Sequence, residues 1–109
     1  MEVKMIPTKQ LQALREKPNI GECIRIIIIS KDLKTADLAD ELRISSAYVC
    51  AIINNKKLPS IRLIDDLLQY FGISFEQFSY LVDYYNNYTG ELKFEHALYE
   101  ILKIILEEN

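Results

Sequence analysis

The stretch that most limits what this 109-residue chain can fold into is residues 34–57, KTADLADELRISSAYVCAIINNKK. Leu38, Ala39 and Leu42 recur at the three- and four-residue spacing of one helical face, and Val49 and Ile52 mark the inward face of a second helix. Between them Arg43-Ile44-Ser45 forms a tight corner, with Ile44 plugging it from inside. Ser45 or Ser46 then caps the second helix, because a hydroxyl oxygen accepts a hydrogen bond from an otherwise unpaired helical N–H.

Two short helices joined by such a corner make a helix-turn-helix, whose second helix enters the major groove of DNA. The flanking residues extend the pattern: Gly21-Glu22 with Ile24 and Ile27 before it, then Asn55-Lys56-Lys57, Pro59-Ser60, Leu63, Leu67, Phe71-Gly72-Ile73-Ser74 and Phe78 after it. In that order and without a gap, these pieces make residues 21–78 resemble the Cro/lambda-repressor-type (Xre-like) helix-turn-helix family. The resemblance implies an all-α, lambda-repressor-like domain of about five helices that binds double-stranded DNA. By the family's geometry, Ser46, Ala47 and Ala51 lie nearest the base edges, while Ser45, Tyr48, Asn54, Asn55, Lys56 and Lys57 lie over the backbone. Thr35 stands where the family often has a phosphate-contacting Gln. Base reading would be sparse. Ser46 can donate or accept, the methyls of Ala47 and Ala51 can meet a thymine methyl, and Tyr48 is the one large polar group in the helix.

Three departures from the family pattern carry expectations. Arg43 replaces a Gly that often has positive φ, and Asn55 replaces a second Gly, Asn being the usual substitute in the left-handed conformation that ends helices. Ile28 and Ile53 replace an Arg and a Glu that can form a buried ion pair, so the two isoleucines are expected to meet.

Charge is unevenly distributed. The net charge is −3, but residues 1–62 carry 11 Lys/Arg against 7 Asp/Glu, and residues 63–109 carry 2 against 9. A mildly basic first part and an acidic second part suit one face turned toward phosphate and another turned away. Cys23 and Cys50 are too few for a disulfide framework and lack metal-ligand spacing. The chain start has no apolar run of the length a secretory signal needs, and no apolar run spans a membrane, so the expected location is the cytoplasm. His96 stands alone, and neither a Gly-rich phosphate loop nor a nucleophile motif is present, which excludes most enzyme classes and implies no catalytic residue, metal or cofactor.

The flanks complete the expected organisation: an N-terminal arm with a short helix (1–18), the DNA-binding domain (19–82) and a C-terminal helical extension (83–109). Thr8 is expected to cap the first helix, with Leu11 and Leu14 facing the body. Asn19 and Glu22 resemble a capping box, as do Ser74 and Gln77, while Ser60 caps a helix that Gly72 ends. Residues 83–90 read as a tyrosine-rich polar bend, followed by a long helix from Glu91 to about Glu107. That helix is apolar over too much of its circumference to lie against one surface only. Phe94, Leu98, Ile101, Leu102 and Ile105 are therefore expected to meet a second subunit, giving a homodimer matched to operator half-sites. The expected function is a transcriptional repressor of phage or plasmid type. The alternative is a protein-interaction module on the same fold, antitoxin-like or anti-repressor-like, with its partner on the last helix.

Overall fold

A helix that is apolar almost all round is stable only where other elements cover most of it. Residues 20–30, IGECIRIIIIS, are such a helix, and the fold is arranged to cover them. In the computed structural model, which describes residues 7–88 and 92–107, seven helices and no strand are present among the described residues. They are α1 (Thr8–Arg15), α2 (Ile20–Ser30), α3 (Thr35–Leu42), α4 (Ser46–Ile53), α5 (Ile61–Phe71), α6 (Phe75–Asn87) and α7 (Lys93–Glu107). The α2 helix packs against α4, α6 and α7, and Ile20, Cys23, Ile24, Ile26, Ile27 and Ile28 are all buried. The Ile26–Ile29 run, which in isolation could pass for a buried strand, is thus a helix covered on several sides, with Ile29 left exposed.

The terminal segments share this core. Leu11 and Leu14 of α1 are buried, as expected, and α1 packs on α5. Arg15 Nε donates to the Pro59 carbonyl at 2.6 Å, so α1 braces the loop that follows α4. At the other end, Ala97 and Ile101 of α7 have no exposed surface. Ile53 shares a small apolar cavity with Ile24, one turn before Ile28, and Ile28 is buried but does not line that cavity.

Helix ends explain most of the boundaries. Ser45, Ser60 and Ser74 each cap the helix that follows, and Ser74 with Gln77 forms the full capping box. Four helices close in the same way, with a left-handed residue and an N–H reaching back five residues: Leu33 to Ile28, Ile44 to Ala39, Lys56 to Ala51 and Ile73 to Leu68. The left-handed residues are Asp32, Arg43, Asn55 and Gly72, with φ of 53°, 57°, 59° and 71°. Only Gly72 holds that conformation without a Cβ penalty.

Arg43 therefore carries the strain that its position predicts. Its side chain is exposed and makes no hydrogen bond or ion pair among the described residues. Arg43→Gly is expected to stabilise the chain by about 0.5–1 kcal/mol and raise the melting temperature by about 2–8 °C. Thermal melting followed by circular dichroism checks this. A lower melting temperature would mean that the arginine side chain stabilises the corner.

Three local readings are corrected. Pro7, not Thr8, is the N-cap of α1: its carbonyl accepts the first helical bonds, which makes Thr8 the first helical residue. Asn19 is the N-cap residue of α2 and its carbonyl accepts the Cys23 N–H, but its side chain makes no cap bond and the expected capping box does not form. Asn19 is left-handed (φ 62°), its amide donates to Asn86 Oδ1 at 2.9 Å, and Glu22 pairs with Arg25 at 2.7 Å. Residues 83–87 form no bend but the last turns of α6. Tyr80, Tyr84 and Tyr88 follow one another a turn apart, with ring centroids 6.2 and 6.0 Å apart, and Tyr88 stacks on His96 at 4.4 Å. Thr89, Gly90 and Glu91, the rest of the expected bend and the expected start of the last helix, lie outside the described residues.

Candidate nucleic-acid interface

The α4 helix has one face fixed to the core and another left open. Val49 and Ile52 are buried over Ile24, Leu38, Leu63 and Leu67, which sets the helix's rotation. The opposite stripe, Ser46, Ala47, Cys50 and Asn54, is exposed, with Tyr48 and Ala51 half-buried beside it. Ser45 Oγ accepts the Tyr48 N–H at 3.0 Å and is the cap. Ser46 is thereby released from capping, and its hydroxyl stands at the open end of the helix.

The helix leads into a polar, basic loop. Asn54 Nδ2 donates to the Cys50 carbonyl at 2.8 Å, closing the end of α4. Asn55 accepts the Gly21 N–H on its Oδ1 at 3.1 Å, so its side chain ties the loop to the first turn of α2. Lys56 and Lys57 are exposed, and the Lys57 ammonium lies 5.8 Å from the centre of the Tyr48 ring. Before the corner, Thr35 is the first residue of α3. No side chain caps that helix, which leaves its first N–H groups open to an anion.

The expected residues thus separate into two groups. Ser46, Ala47, Asn54, Lys56 and Lys57 are all exposed, and Thr35, Tyr48 and Ala51 are half-buried. Ser45 and Asn55 also have internal work, as helix cap and as brace to α2. Two residues were missed. Cys50 lies in the exposed stripe, four residues after Ser46, and helical spacing alone would have found it. Arg62 lines a groove with Arg43, Tyr48 and Ser60, and only the packing of α5 against the corner reveals that neighbourhood.

The two cysteines differ sharply. Burial, reinforced by the nearby Glu22 charge, pushes the Cys23 thiol up to about 12, so it is chemically inert at neutral pH. Cys50 is exposed.

On α7, Phe94, Leu98 and Ile105 are half-buried against the core, while Tyr99 and Leu102, and Leu92 immediately before the helix, are exposed. Ile101 has no exposed surface and belongs to the chain's own core, so it is removed from any surface that could meet a second subunit. Among the described residues no helix is long and apolar enough to cross a membrane, and no group of side chains is arranged to hold a metal ion.

A family model described as Helix-turn-helix matches residues 24–78, from α2 into α6. No curated protein and no solved structure matches the chain.

Proposed function

Because this chain belongs to the Cro/C1-type (Xre-like) helix-turn-helix family of DNA-binding regulators, we propose that it is a repressor of phage or plasmid type that binds operator DNA as a homodimer. The observation that carries this reading is the exposed α4 stripe, which the chain follows with the exposed Lys56-Lys57 and precedes with an α3 whose start no side chain caps. In the proposed complex α4 lies in the major groove. Ser46 and Ala47 meet base edges first, with Ala51 and Tyr48 at the side. Thr35, Ser45, Asn54, Lys56 and Lys57 hold phosphates; the Ser45 hydroxyl can still donate while its oxygen caps α4. Asn55 acts at one remove, by fixing the loop that carries the lysines. Such contacts position the protein, whereas the few groups at base edges supply what selectivity exists. Repression follows from occlusion of the polymerase.

Selection of bound duplexes from a random pool, at two salt concentrations, tests the reading. The expected product is a palindrome with half-sites about 34 Å apart. Its affinity should fall with salt by roughly 0.9 log units per log unit for each phosphate contacted. Enrichment of nothing, with weak binding that disappears as salt rises, would overturn it. The exposed apolar residues of α7 would then mark an antitoxin-like or anti-repressor-like protein partner.

A further inference from the structure

Six large apolar side chains are exposed among the described residues, and three of them belong to the last helix and its start, Tyr99 and Leu102 on α7 and Leu92 immediately before it. Glu95 and Lys103 are exposed on the same helix. At 100° per residue these five positions surround the direction opposite Ala97 and Ile101, the two fully buried residues of α7. The chain therefore builds a helix with a finished inner face and an unfinished outer one.

The charges on that outer face are symmetrically placed. Glu95 is four residues before Tyr99 and Lys103 four residues after it, each about 6 Å along the axis. A symmetric pair of α7 helices can run parallel or antiparallel. The parallel pair sets Glu95 against Glu95 and Lys103 against Lys103. The antiparallel pair sets each Glu95 against a Lys103, twice, with the two Tyr99 rings at the axis. Like charges opposed across an interface are repulsive and opposite charges fix the register. Lys103 is available for this exchange, since its own side chain is half exposed and its contact with the largely buried Glu100 is a long one at 3.7 Å. Its ammonium already lies 5.7 Å from the centre of the Tyr99 ring, on the face in question.

We infer that α7 pairs antiparallel with α7 of a second copy about a two-fold axis at Tyr99, with Glu95 of each chain against Lys103 of the other. This rests on the homodimer reading above and adds the surface and the orientation.

Single-cysteine cross-linking tests it in the full chain, with Cys50 replaced by serine and the buried Cys23 left in place. Under mild oxidation Tyr99→Cys is expected to form a covalent dimer. Glu95→Cys alone and Lys103→Cys alone should each give at least ten-fold less, and a mixture of the two should cross-link efficiently. Efficient cross-linking of Glu95→Cys with itself would overturn the antiparallel orientation while leaving the dimer intact. A dimer by sedimentation equilibrium that no α7 cysteine cross-links would overturn this inference and leave the homodimer reading standing. Monomer mass at all concentrations would overturn both.

Discussion

Gly21→Ala is expected to destabilise the chain by about 3 kcal/mol and to lower the melting temperature by more than about 10 °C. A Cβ built on Gly21 would lie 1.9 Å from the Ile52 carbonyl oxygen and 2.7 Å from Asn55 Oδ1. Both are far inside contact distance, and the first belongs to the backbone of α4, so no side-chain rotation relieves it. Either α2 or the last turn of α4 has to move. The move would also break the bond from the Gly21 N–H to Asn55 that ties the two elements together. Against this, alanine improves helix propensity by about 1 kcal/mol, too little to offset the clash. Gly72→Ala is the internal comparison. Gly72 is left-handed at φ 71°, but nothing lies within 4 Å of its added Cβ, so that change costs only backbone strain of about 1 kcal/mol. Thermal melts of the two variants distinguish the cases. If Gly21→Ala is no worse than Gly72→Ala, the close approach of α2 to α4 is absent in solution.

The same contact explains why the loop after α4 could be placed from the sequence while its chemistry could not. Asn55 was legible as the left-handed end of a helix, because Asn tolerates that conformation and a helix-turn-helix needs a stop there. Nothing local says that its Oδ1 would be taken by an N–H 34 residues earlier. Asn19 shows the converse. Locally it and Glu22 have the spacing of a capping box, but Asn86 of α6 binds both the Asn19 amide and the Pro18 carbonyl, at 2.9 Å each. The nearby Lys17–Asp83 pair at 2.6 Å holds the same corner to α6. These partners are 66 to 68 residues away, beyond the reach of any window along the sequence. Where caps are purely local, as at Ser45, Ser60 and Ser74, the reading from residues alone and the structure agree.

The far end of the chain was legible in amount but not in direction. The apolar width of the last helix demanded burial on more than one side, and the chain itself covers the side that packs on α2 and α6. Which positions face inward depends on where α2 and α6 lie. Ala97 and Ile101 proved central, and the outer side fell to Leu92, Tyr99 and Leu102. Tyr84 and Tyr88 read as part of a bend because of their polar company. Their four-residue spacing, which stacks them along α6, is the stronger signal. For α4 the inward face, Val49 and Ile52, was correct, but counting from family positions passed over Cys50, which the helical period puts in the open stripe.

Ala47→Glu is expected to leave folding intact and reduce operator affinity by at least about 100-fold, close to 3 kcal/mol. Ala47 is the second residue of α4, is exposed, and has no internal partner to lose. A carboxylate in the first turn of a helix is favoured by the open N–H groups there, so the melting temperature should hold or rise slightly. In the groove the same carboxylate would stand among phosphates and acceptor-rich base edges, at the point where the proposed complex brings α4 nearest the DNA. The same charge placed at the exposed Asn87 of α6 should change affinity less than about three-fold, since a screened charge away from the interface acts weakly. Fluorescence anisotropy with the selected duplex, beside thermal melts of both variants, separates the effects. Loss of binding in a variant that melts like the parent places α4 in the groove, because neither unfolding nor a change in overall charge could then account for it. Unchanged binding by Ala47→Glu would mean that the exposed stripe of α4 is not what meets DNA.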